Sequence, residues 1–358
     1  MKLYSLAPRL IWNRVKVAYS YLRRSSHNTG RPIEVVIEST NACNLKCPMC
    51  PRFQDDTMST RGIGLMDMPV FTRVVDEIKG YAETIDLHLA GEPLMHPKII
   101  EMINYCGSHG LKTVMHTNAS FLNEKRSREL IDSSLSVLDI SVDGNSKETY
   151  EQIRVGGKFE QTVQNVERYL EIKKEKQGRG PYTSIHMIYM KKNQHEAEAF
   201  LKKWKKAGMD AVRIKAFNPT GLSSENRLLG AASGIFKSKM KPKPCFMMWR
   251  FLTVQWDGTL VPCCLDYVGQ EPLGNIMKEK LEVLWNGPRM KRMRALHIEG
   301  KAGSIPLCKD CSMPTISTPF LLASIFVHND TIKKRLLPIL ERLWVLKKLK
   351  LFQYYSRS

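Results

Sequence analysis

The chain has 358 residues, of which 43% are hydrophobic and 25% are charged, and its formal net charge is +20. This composition is typical of a folded protein with a sizeable core, and no apolar run approaches the roughly 20 residues that a transmembrane helix needs. The N-terminus lacks an apolar signal core, so nine cysteines favour metal ligation in a reducing compartment over disulfides. We therefore expect a cytoplasmic protein with one large domain and a smaller one appended.

Residues 1–31 are predicted to form a basic amphipathic N-terminal helix. Cationic side chains recur every seven residues on one face, at Lys2, Arg9, Lys16 and Arg23. The pattern favours a helix that packs on the body of the protein with its basic side in solvent. The alternative is an interfacial helix that lies on an anionic membrane surface or binds a partner.

Three cysteines follow the first predicted strand, Ile33 to Ile37. They are Cys43, Cys47 and Cys50, spaced C-x3-C-x2-C in a short Asn- and Pro-containing loop that cannot pack as core. Three soft thiolates suit a [4Fe–4S] cluster with one iron left open, and an open iron can chelate the amino and carboxylate groups of S-adenosylmethionine (SAM). A zinc site would usually have a fourth ligand nearby, and disulfides would leave one thiol over.

The sequence C-N-L-K-C-P-M-C over residues 43–50 resembles the signature of the radical SAM superfamily. The resemblance implies that the cluster passes an electron into bound SAM, which splits to methionine and a 5′-deoxyadenosyl radical. That radical would abstract a hydrogen atom from the substrate. An electron donor such as flavodoxin or ferredoxin and an oxygen-poor setting are implied with it.

Six β-rich runs alternate with helical segments between residues 33 and 217. The runs are Ile33–Ile37, Thr84–Leu89, Leu111–His116, Val137–Val142, Thr183–Tyr189 and Ala211–Phe217. The helical segments lie near 69–80, 97–109, 123–132, 159–176 and 195–207. This alternation predicts an α/β fold with a parallel sheet. The resemblance implies a partial (β/α)6 TIM-like barrel over 32–220, with its chemistry at the carboxyl ends of the strands.

The resemblance also assigns roles to residues that follow these strands. Ala90-Gly91-Glu92-Pro93 is similar to the Gly-Gly-Glu-Pro motif that contacts the SAM amino group, with Ala90 in place of the first glycine. Ser141 and Arg154 match residues that hold the SAM carboxylate in related enzymes. Short polar side chains at Thr117 and Asn118 are predicted to reach the ribose.

Several of these residues also have a purely structural interpretation. Gly91-Glu92-Pro93 by itself is a turn signal, Arg154 could be a surface helix charge, and Asp143 could cap a turn. The strand histidines His88, His116 and His186 are interpreted as structural rather than as ligands. Cys106, in the middle of a predicted helix, is interpreted as a small core residue.

A Lys- and Pro-rich linker is predicted over 221–244, followed by a cysteine-bearing module over 245–315. Phe251–Trp256 and Leu260–Cys263 predict a hairpin about an Asp-Gly turn. The spacing from Gly258 to Cys263 is similar to the opening of SPASM-type auxiliary domains. The predicted ligands of a second [4Fe–4S] cluster are Cys245, Cys263, Cys308 and Cys311, with Cys264 as a substitute for Cys263. A zinc or rubredoxin-like site is the alternative.

A basic amphipathic C-terminal tail is predicted over 316–358. Basic residues at both ends of the chain strengthen the alternative that the protein contacts a membrane surface peripherally. A nucleic-acid partner is not expected, because no RNA-binding motif or interleaving of aromatic with basic residues is found.

An auxiliary cluster saturated by four cysteines would accept an electron from a substrate radical, which makes the net reaction an oxidation. Asp266 is the tentative base for the accompanying proton, with an ordinary turn aspartate as the alternative. The predicted protein is a radical SAM oxidoreductase that acts on a sugar, cyclitol or lipid-linked metabolite. A peptide maturase is the alternative, although the roughly 30 residues before the first strand are too few for a peptide-recognition domain. An iron–sulfur RNA-modifying protein is the alternative of another class.

Overall fold

A computed structural model describes residues 7–53, 61–218, 222–223, 225–230, 244–309 and 311. Most of the predicted linker 221–244 and the whole predicted tail 316–358 lie outside the described residues. The predicted α/β class is confirmed, because strands and helices alternate through the first two thirds of the chain.

The strands of the described residues form one sheet in the order β6-β5-β4-β3-β2-β1-β7-β8-β9. They are β1 (Glu34–Ile37), β2 (Thr84–Asp86), β3 (Lys112–Thr117), β4 (Val137–Ser141), β5 (Tyr182–Tyr189), β6 (Ala211–Ala216), β7 (Phe251–Val254), β8 (Thr259–Val261) and β9 (Gly274–Asn275). All six β-rich runs predicted for the barrel are confirmed as strands, with ends that differ by at most three residues from the predicted ones.

Helices connect and cover these strands. They are α1 (Pro8–Leu22), α2 (Met68–Ile78), α3 (Ile99–Ser108), α4 (Glu124–Asp132), α5 (Lys147–Ile153), α6 (Phe159–Glu175), α7 (Ala197–Lys206), α8 (Met247–Arg250), α9 (Leu281–Trp285), α10 (Pro288–Ile298) and α11 (Pro306–Lys309). The apolar stripes of α2 and α3 face the sheet, so residues such as Phe71, Val75 and Met102 are buried. Cys106 is fully buried on α3, which confirms it as a core residue.

Strands β1 to β6 pair in parallel in sequence order, and each crossover carries at least one helix. This is the predicted partial barrel, in which the carboxyl ends of neighbouring strands meet at one edge. The loops that follow β1 to β6 therefore converge there, although they are far apart in the chain.

The predicted hairpin of the C-terminal module is present as β7 and β8, which pair antiparallel. Its first strand also pairs in parallel with β1, with Val35 opposite Leu252 and Ile37 opposite Val254. The local sequence does not predict this pairing. Because of it, β1 lies between the barrel and the C-terminal module and is hydrogen-bonded to both.

Helix α1 packs on the body of the protein through one face, as predicted. Arg14 is buried and forms an ion pair with Glu83, which lies just before β2. Tyr21 contacts the rings of Phe246 and Trp249 at 5.0 and 5.4 Å between centroids. Within the described part of the chain, no helix has both the length and the apolar character that a membrane span requires.

Candidate active site

The loop after β1 presents the three cysteines, and buried polar contacts hold its shape. The Asn41 amide donates to the carbonyl of Gly62 at 2.8 Å, and its side-chain oxygen accepts from the Gly64 N–H at 2.8 Å. The Arg52 Nε donates to the Asn41 carbonyl at 2.6 Å. The backbone N–H of Cys50 bonds to the carbonyl of Cys47 at 3.0 Å, so the loop folds tightly around the thiols.

Burial raises the pKa of the Cys43, Cys47 and Cys50 thiols, that of Cys47 to about 12. The guanidinium of Arg154 opposes this shift at Cys47 and Cys50. Thiols in such a setting become thiolates when a soft metal replaces the proton, and a nearby cation offsets the charge that they bring. Three such donors beside one guanidinium fit an anionic iron–sulfur cluster.

A cavity of about 600 Å³ opens at the carboxyl ends of the barrel strands. The three thiols line it. The six residues predicted to contact SAM line it as well, namely Gly91, Glu92, Thr117, Asn118, Ser141 and Arg154. The fold thus brings all nine predicted barrel residues to one space, while their roles as ligands and cofactor contacts stay predictions.

Gly91 lies against the cysteine loop so closely that no side chain fits. A Cβ at this position would come within 2.3 Å of the Thr40 carbonyl oxygen and 2.6 Å of that of Ala42. The backbone N–H of Glu92 also donates to the Ala42 carbonyl at 2.8 Å. The strand-two motif and the cysteine loop therefore form one rigid unit.

The Glu92 carboxylate is buried and accepts three hydrogen bonds. The donors are the hydroxyl of Thr117 at 2.7 Å, the backbone N–H of Asn118 at 2.7 Å and that of Leu94 at 3.1 Å. The Asn118 amide in turn donates to the Asn44 side chain at 2.9 Å. Thr117 and Asn118 therefore support Glu92 and the cysteine loop as well as facing the cavity.

Arg154 is not a surface charge, because its side chain is only 12% exposed and its Nε donates to Asp143 at 2.7 Å. Asp143 is fully buried and also accepts from the backbone N–H of Ile188 at 2.6 Å. Asp143 thus holds the guanidinium at the cavity wall. The local sequence suggests only a turn cap at Asp143 and does not indicate this ion pair.

Polar side chains that the sequence analysis interpreted as structural also line the cavity, namely His88, His116 and His186. His186 contacts Ser141 at 3.0 Å and Asp139 at 3.0 Å. Lys215, which also lines the cavity, donates to Asp139 at 2.7 Å. Strand register brings these residues together. In the sequence, polar residues at the ends of successive predicted strands are the pattern that could have indicated them as cavity residues.

The cysteines of the C-terminal module also form a group. Burial raises the pKa of Cys308 to about 12, and the thiols of Cys245, Cys263 and Cys311 act in the same direction. His297 lies between two of these cysteines. Its Nε2 is 3.5 Å from the Cys308 sulfur, and its Nδ1 accepts from the Cys245 N–H at 3.4 Å. The sequence did not indicate this histidine.

Cys264 has different surroundings. A hydrogen bond with Cys263 lowers its pKa, whereas burial and the charge of Asp86 oppose that shift. Cys245 acts on Cys264 in the same direction as Asp86, so Cys264 lies near an auxiliary cysteine as well as near the barrel. Cys263 as the fourth ligand of the auxiliary site, with Cys264 as its substitute, stays a prediction.

Asp266 is fully buried and is not among the described residues that line the cavity. Its carboxylate accepts the backbone N–H groups of Gln270 at 2.8 Å and Glu271 at 3.0 Å, which are the contacts of a loop-capping aspartate. It lies between the cavity-lining residues Leu265 and Tyr267 in the chain, and its role as a base stays a prediction.

The next residue, Tyr267, does line the cavity. Burial raises its pKa, and the thiols of Cys264, Cys50 and Cys263 add to the shift. Arg61 donates to its carbonyl and forms an ion pair with Glu38 at the end of β1. Tyr267 therefore lies near thiols of both cysteine groups, in a position that the sequence did not indicate.

Known protein families and individual proteins match both modules of this chain. Residues 37–204 match the profile of the radical SAM superfamily, and residues 245–312 match that of the SPASM iron–sulfur cluster-binding domain. The chain is 21% identical over 77% of its length to a tungsten-containing aldehyde ferredoxin oxidoreductase cofactor-modifying protein of Pyrococcus furiosus, of which 86% is covered. It is 19% identical over 79% of its length to a SAM-dependent 2-deoxy-scyllo-inosamine dehydrogenase of Niallia circulans, of which 94% is covered.

Among solved structures, SuiB of Streptococcus suis bound to SAM superposes with a TM-score of 0.61 at 15% identity, over 83% of this chain and 75% of SuiB. Such a likeness shows the shared fold. The two profiles together match more than half of the chain, in the order barrel then auxiliary module. This chain is therefore an enzyme of the radical SAM superfamily with a C-terminal SPASM domain, and a [4Fe–4S] cluster, SAM and an auxiliary iron–sulfur cluster are its cofactors.

Proposed function

We propose that this enzyme carries out a two-electron oxidation of a hydroxyl-rich small molecule, such as a sugar, a cyclitol or a lipid-linked metabolite. The observation that carries the proposal is that one cavity has walls from both modules. The three thiols of the barrel loop line it, and so do Leu265 and Tyr267 of the auxiliary module. A substrate bound there would contact the three barrel thiols and the segment that directly follows Cys263 and Cys264 in the chain.

The residues present fit the cofactors. Cys43, Cys47 and Cys50 would hold the first cluster, and Cys245, Cys263, Cys308 and Cys311 would saturate the second. When bound, the first cluster and SAM together supply the abstraction of a hydrogen atom from an unactivated C–H bond. Four thiols would leave no iron of the second cluster open, so that cluster would supply an acceptor for the second electron, and the hydroxyl proton would pass to a basic side chain that lines the cavity.

The chain itself orients the reactants and excludes water. Arg154, fixed by Asp143, offers a guanidinium fork for a carboxylate at the cavity wall. Glu92 ties the SAM-contact motif to the cysteine loop. The cavity is also lined by the imidazoles of His88, His116 and His186 and the ammonium of Lys215, which suit a substrate with several hydroxyl groups.

The dehydrogenase of Niallia circulans supports the proposal of a small-molecule substrate, since its name states oxidation of an aminocyclitol. SuiB has been solved with its precursor peptide SuiA, which keeps peptide modification as the alternative.

We also propose that helix α1 attaches the enzyme to an anionic membrane surface. Its exposed side carries a basic–aromatic strip made of Arg9, Trp12, Lys16, Tyr19 and Arg23. Trp12 is 60% exposed and Tyr19 is 58% exposed. Aromatic rings flanked by cations are typical of helices that lie in a membrane interface. Such attachment would suit a lipid-linked substrate.

The proposal is tested with anaerobically reconstituted protein, reductant, SAM and a panel of polyols, aminocyclitols and peptides. We expect 5′-deoxyadenosine and a product two hydrogens lighter from a polyol or cyclitol. Cys43→Ala should abolish 5′-deoxyadenosine formation. Cys245→Ala should retain it and lose the oxidised product. Consumption of peptides alone, or full oxidation by the Cys245→Ala variant, would contradict the proposal.

A further inference from the structure

Two neighbouring strands place a second group of metal-ligand side chains at the cavity, which two of them, His88 and His116, line. Asp86 and His88 are two residues apart at the end of β2 and therefore point to the same side of the sheet. Asp86 is in register with Val114 of β3, so His116, two residues later, comes opposite His88. Parallel register thus builds a group of two imidazoles and one carboxylate.

The three side chains converge on one point. One ligand atom from each lies within 4.8 Å of those of the other two. The His88 Nδ1 is 2.6 Å from an Asp86 oxygen, and the His116 Nε2 is 3.6 Å from the other. The two imidazole rings are neighbours, with 3.9 Å between centroids and 32° between ring planes. Two imidazoles and one carboxylate with open positions form a common ligand set of first-row divalent metals.

The surroundings of His116 match those of a metal ligand. Its other nitrogen, Nδ1, lies 3.3 Å from an oxygen of Asp139. Metal-binding histidines regularly donate their second N–H to a carboxylate, which fixes the tautomer and the ring orientation. Asp139 is itself held in place by Ser184 at 2.7 Å and Lys215 at 2.7 Å. The carboxylate behind His116 is therefore rigid.

The exposure of the group also differs from that of structural histidines in a core. The side chains of Asp86, His88 and His116 are 27%, 31% and 24% exposed, and both histidines line the cavity. Rings that only filled space between strands would be buried. Here both imidazole side chains border the space in which a substrate would bind.

We propose that Asp86, His88 and His116 bind one divalent first-row metal ion, Zn²⁺ or Fe²⁺, in the wall of the cavity, with its remaining positions open. Such an ion would bind two neighbouring oxygen atoms of a substrate and hold it in one orientation facing the cysteine loop. This substrate role rests on the proposed function, whereas binding of the metal does not. The ion is distinct from both clusters, because no cysteine of either predicted set belongs to the group.

The test measures metal content, so it does not depend on turnover. Reconstituted holoprotein with about eight irons per chain is dialysed anaerobically against micromolar Zn²⁺ and analysed by elemental mass spectrometry. We expect about one zinc per chain in the wild type and none in the His88→Ala/His116→Ala double variant. His195→Ala, which changes a histidine that is 67% exposed outside the cavity, is the matched control and should retain the zinc.

Asp139→Asn should bind zinc roughly 10- to 100-fold more weakly, because the carboxylate that orients His116 is lost. Iron content and the spectral response to SAM show that each variant has folded. The proposal is overturned if folded wild type and double variant hold equal zinc, or if the wild type holds none. It is also overturned if the zinc is lost from Cys245→Ala and kept in the double variant, because the ion would then occupy the auxiliary site. Failure to oxidise any polyol would count against the proposed function alone.

Discussion

Gly91 joins the two halves of the cofactor site through a contact that only a residue without a side chain permits. Its Cα faces the carbonyl oxygens of Thr40 and Ala42, and a methyl group there would lie 2.3 and 2.6 Å from them. Backbone atoms on both sides cannot move aside as a flexible side chain would. A larger residue must therefore displace the cysteine loop.

We predict that Gly91→Ala lowers the iron content from about eight to about four atoms per chain, because the barrel cluster is lost and the auxiliary cluster is kept. Iron analysis after anaerobic reconstitution measures this. The control is Gly80→Ala, since a Cβ at Gly80 would meet no atom within 4 Å. Normal iron content in Gly91→Ala would show that the loop tolerates the shift.

His96 makes the stability of the fold depend on pH. It is 3% exposed, its Nδ1 accepts the backbone N–H of Lys98 at 3.1 Å, and its Nε2 contacts the Met66 carbonyl at 3.0 Å. Nδ1 therefore carries no proton, and Nε2 is the donor. Burial lowers the pKa of His96 below its ordinary value. The unfolded chain consequently binds a proton in a pH range where the folded chain does not.

Because the unfolded state binds the extra proton, the free energy of unfolding falls as the pH drops below about 6.5. We predict that His96→Asn, which keeps an acceptor near Lys98, loses less stability than the wild type between about pH 7 and about pH 5.5. Urea unfolding at several pH values measures the difference. Parallel curves for the two proteins would rule out His96 as the titrating group.

At the scale of elements, helix α1 has two faces with different tasks. Asn13, Arg14, Val17 and Ala18 are buried against the body. The basic–aromatic strip lies on the opposite side, where the Lys16 ammonium stands 5.8 Å from the centre of the Trp12 ring. The buried face anchors the helix, so the strip is presented in a fixed orientation.

We predict that the protein binds vesicles containing phosphatidylglycerol and that Trp12→Ser/Tyr19→Ser weakens this binding at least tenfold. The aromatic rings supply apolar burial, and each cation adds about 1 kcal/mol near an anionic surface, so added salt should also weaken binding. Sedimentation with vesicles measures the bound fraction. Met277→Ser/Val283→Ser, which alters two side chains exposed by 54% and 57% on the C-terminal module, should bind as the wild type does. Equal binding by both double variants would exclude the strip.

At the scale of the whole molecule, the barrel and the SPASM module share one sheet and one core. Strand β1 pairs with β2 on one side and β7 on the other. Trp285 of the module is buried and donates from Nε1 to the Gly30 carbonyl at 2.9 Å, and the Asn28 amide donates to the Trp249 carbonyl at 2.8 Å. These contacts tie the segment before β1 to the module.

We predict that Trp285→Ala destabilises the whole chain by roughly 3–5 kcal/mol in a single transition, because the cavity it leaves lies between the two modules. Val283→Ala, at a 57% exposed position two residues away, should change stability by less than about 0.5 kcal/mol. Calorimetry of the full chain distinguishes the outcomes. Two separate transitions, only one of which moves in Trp285→Ala, would show that the modules unfold independently.

Short segments of the sequence are sufficient to predict the cluster loop and the barrel of this protein. The spacing of Cys43, Cys47 and Cys50 and the alternation of six apolar runs with helices identify the cluster loop and the barrel. Both are short-range patterns, because a cluster needs thiols within a few residues and a strand alternates every second residue. The family and its cofactors therefore follow from the sequence.

Tertiary structure decides what depends on register and on which strands become neighbours. The pairing of β1 with β7, the Arg154–Asp143 pair and the approach of Asp86, His88 and His116 all join residues from separate elements. Asp266 is a further example, because only the folded structure shows that its carboxylate binds the backbone of its own loop. Local patterns cannot specify these contacts, since each is set by packing between segments that the sequence leaves free to combine.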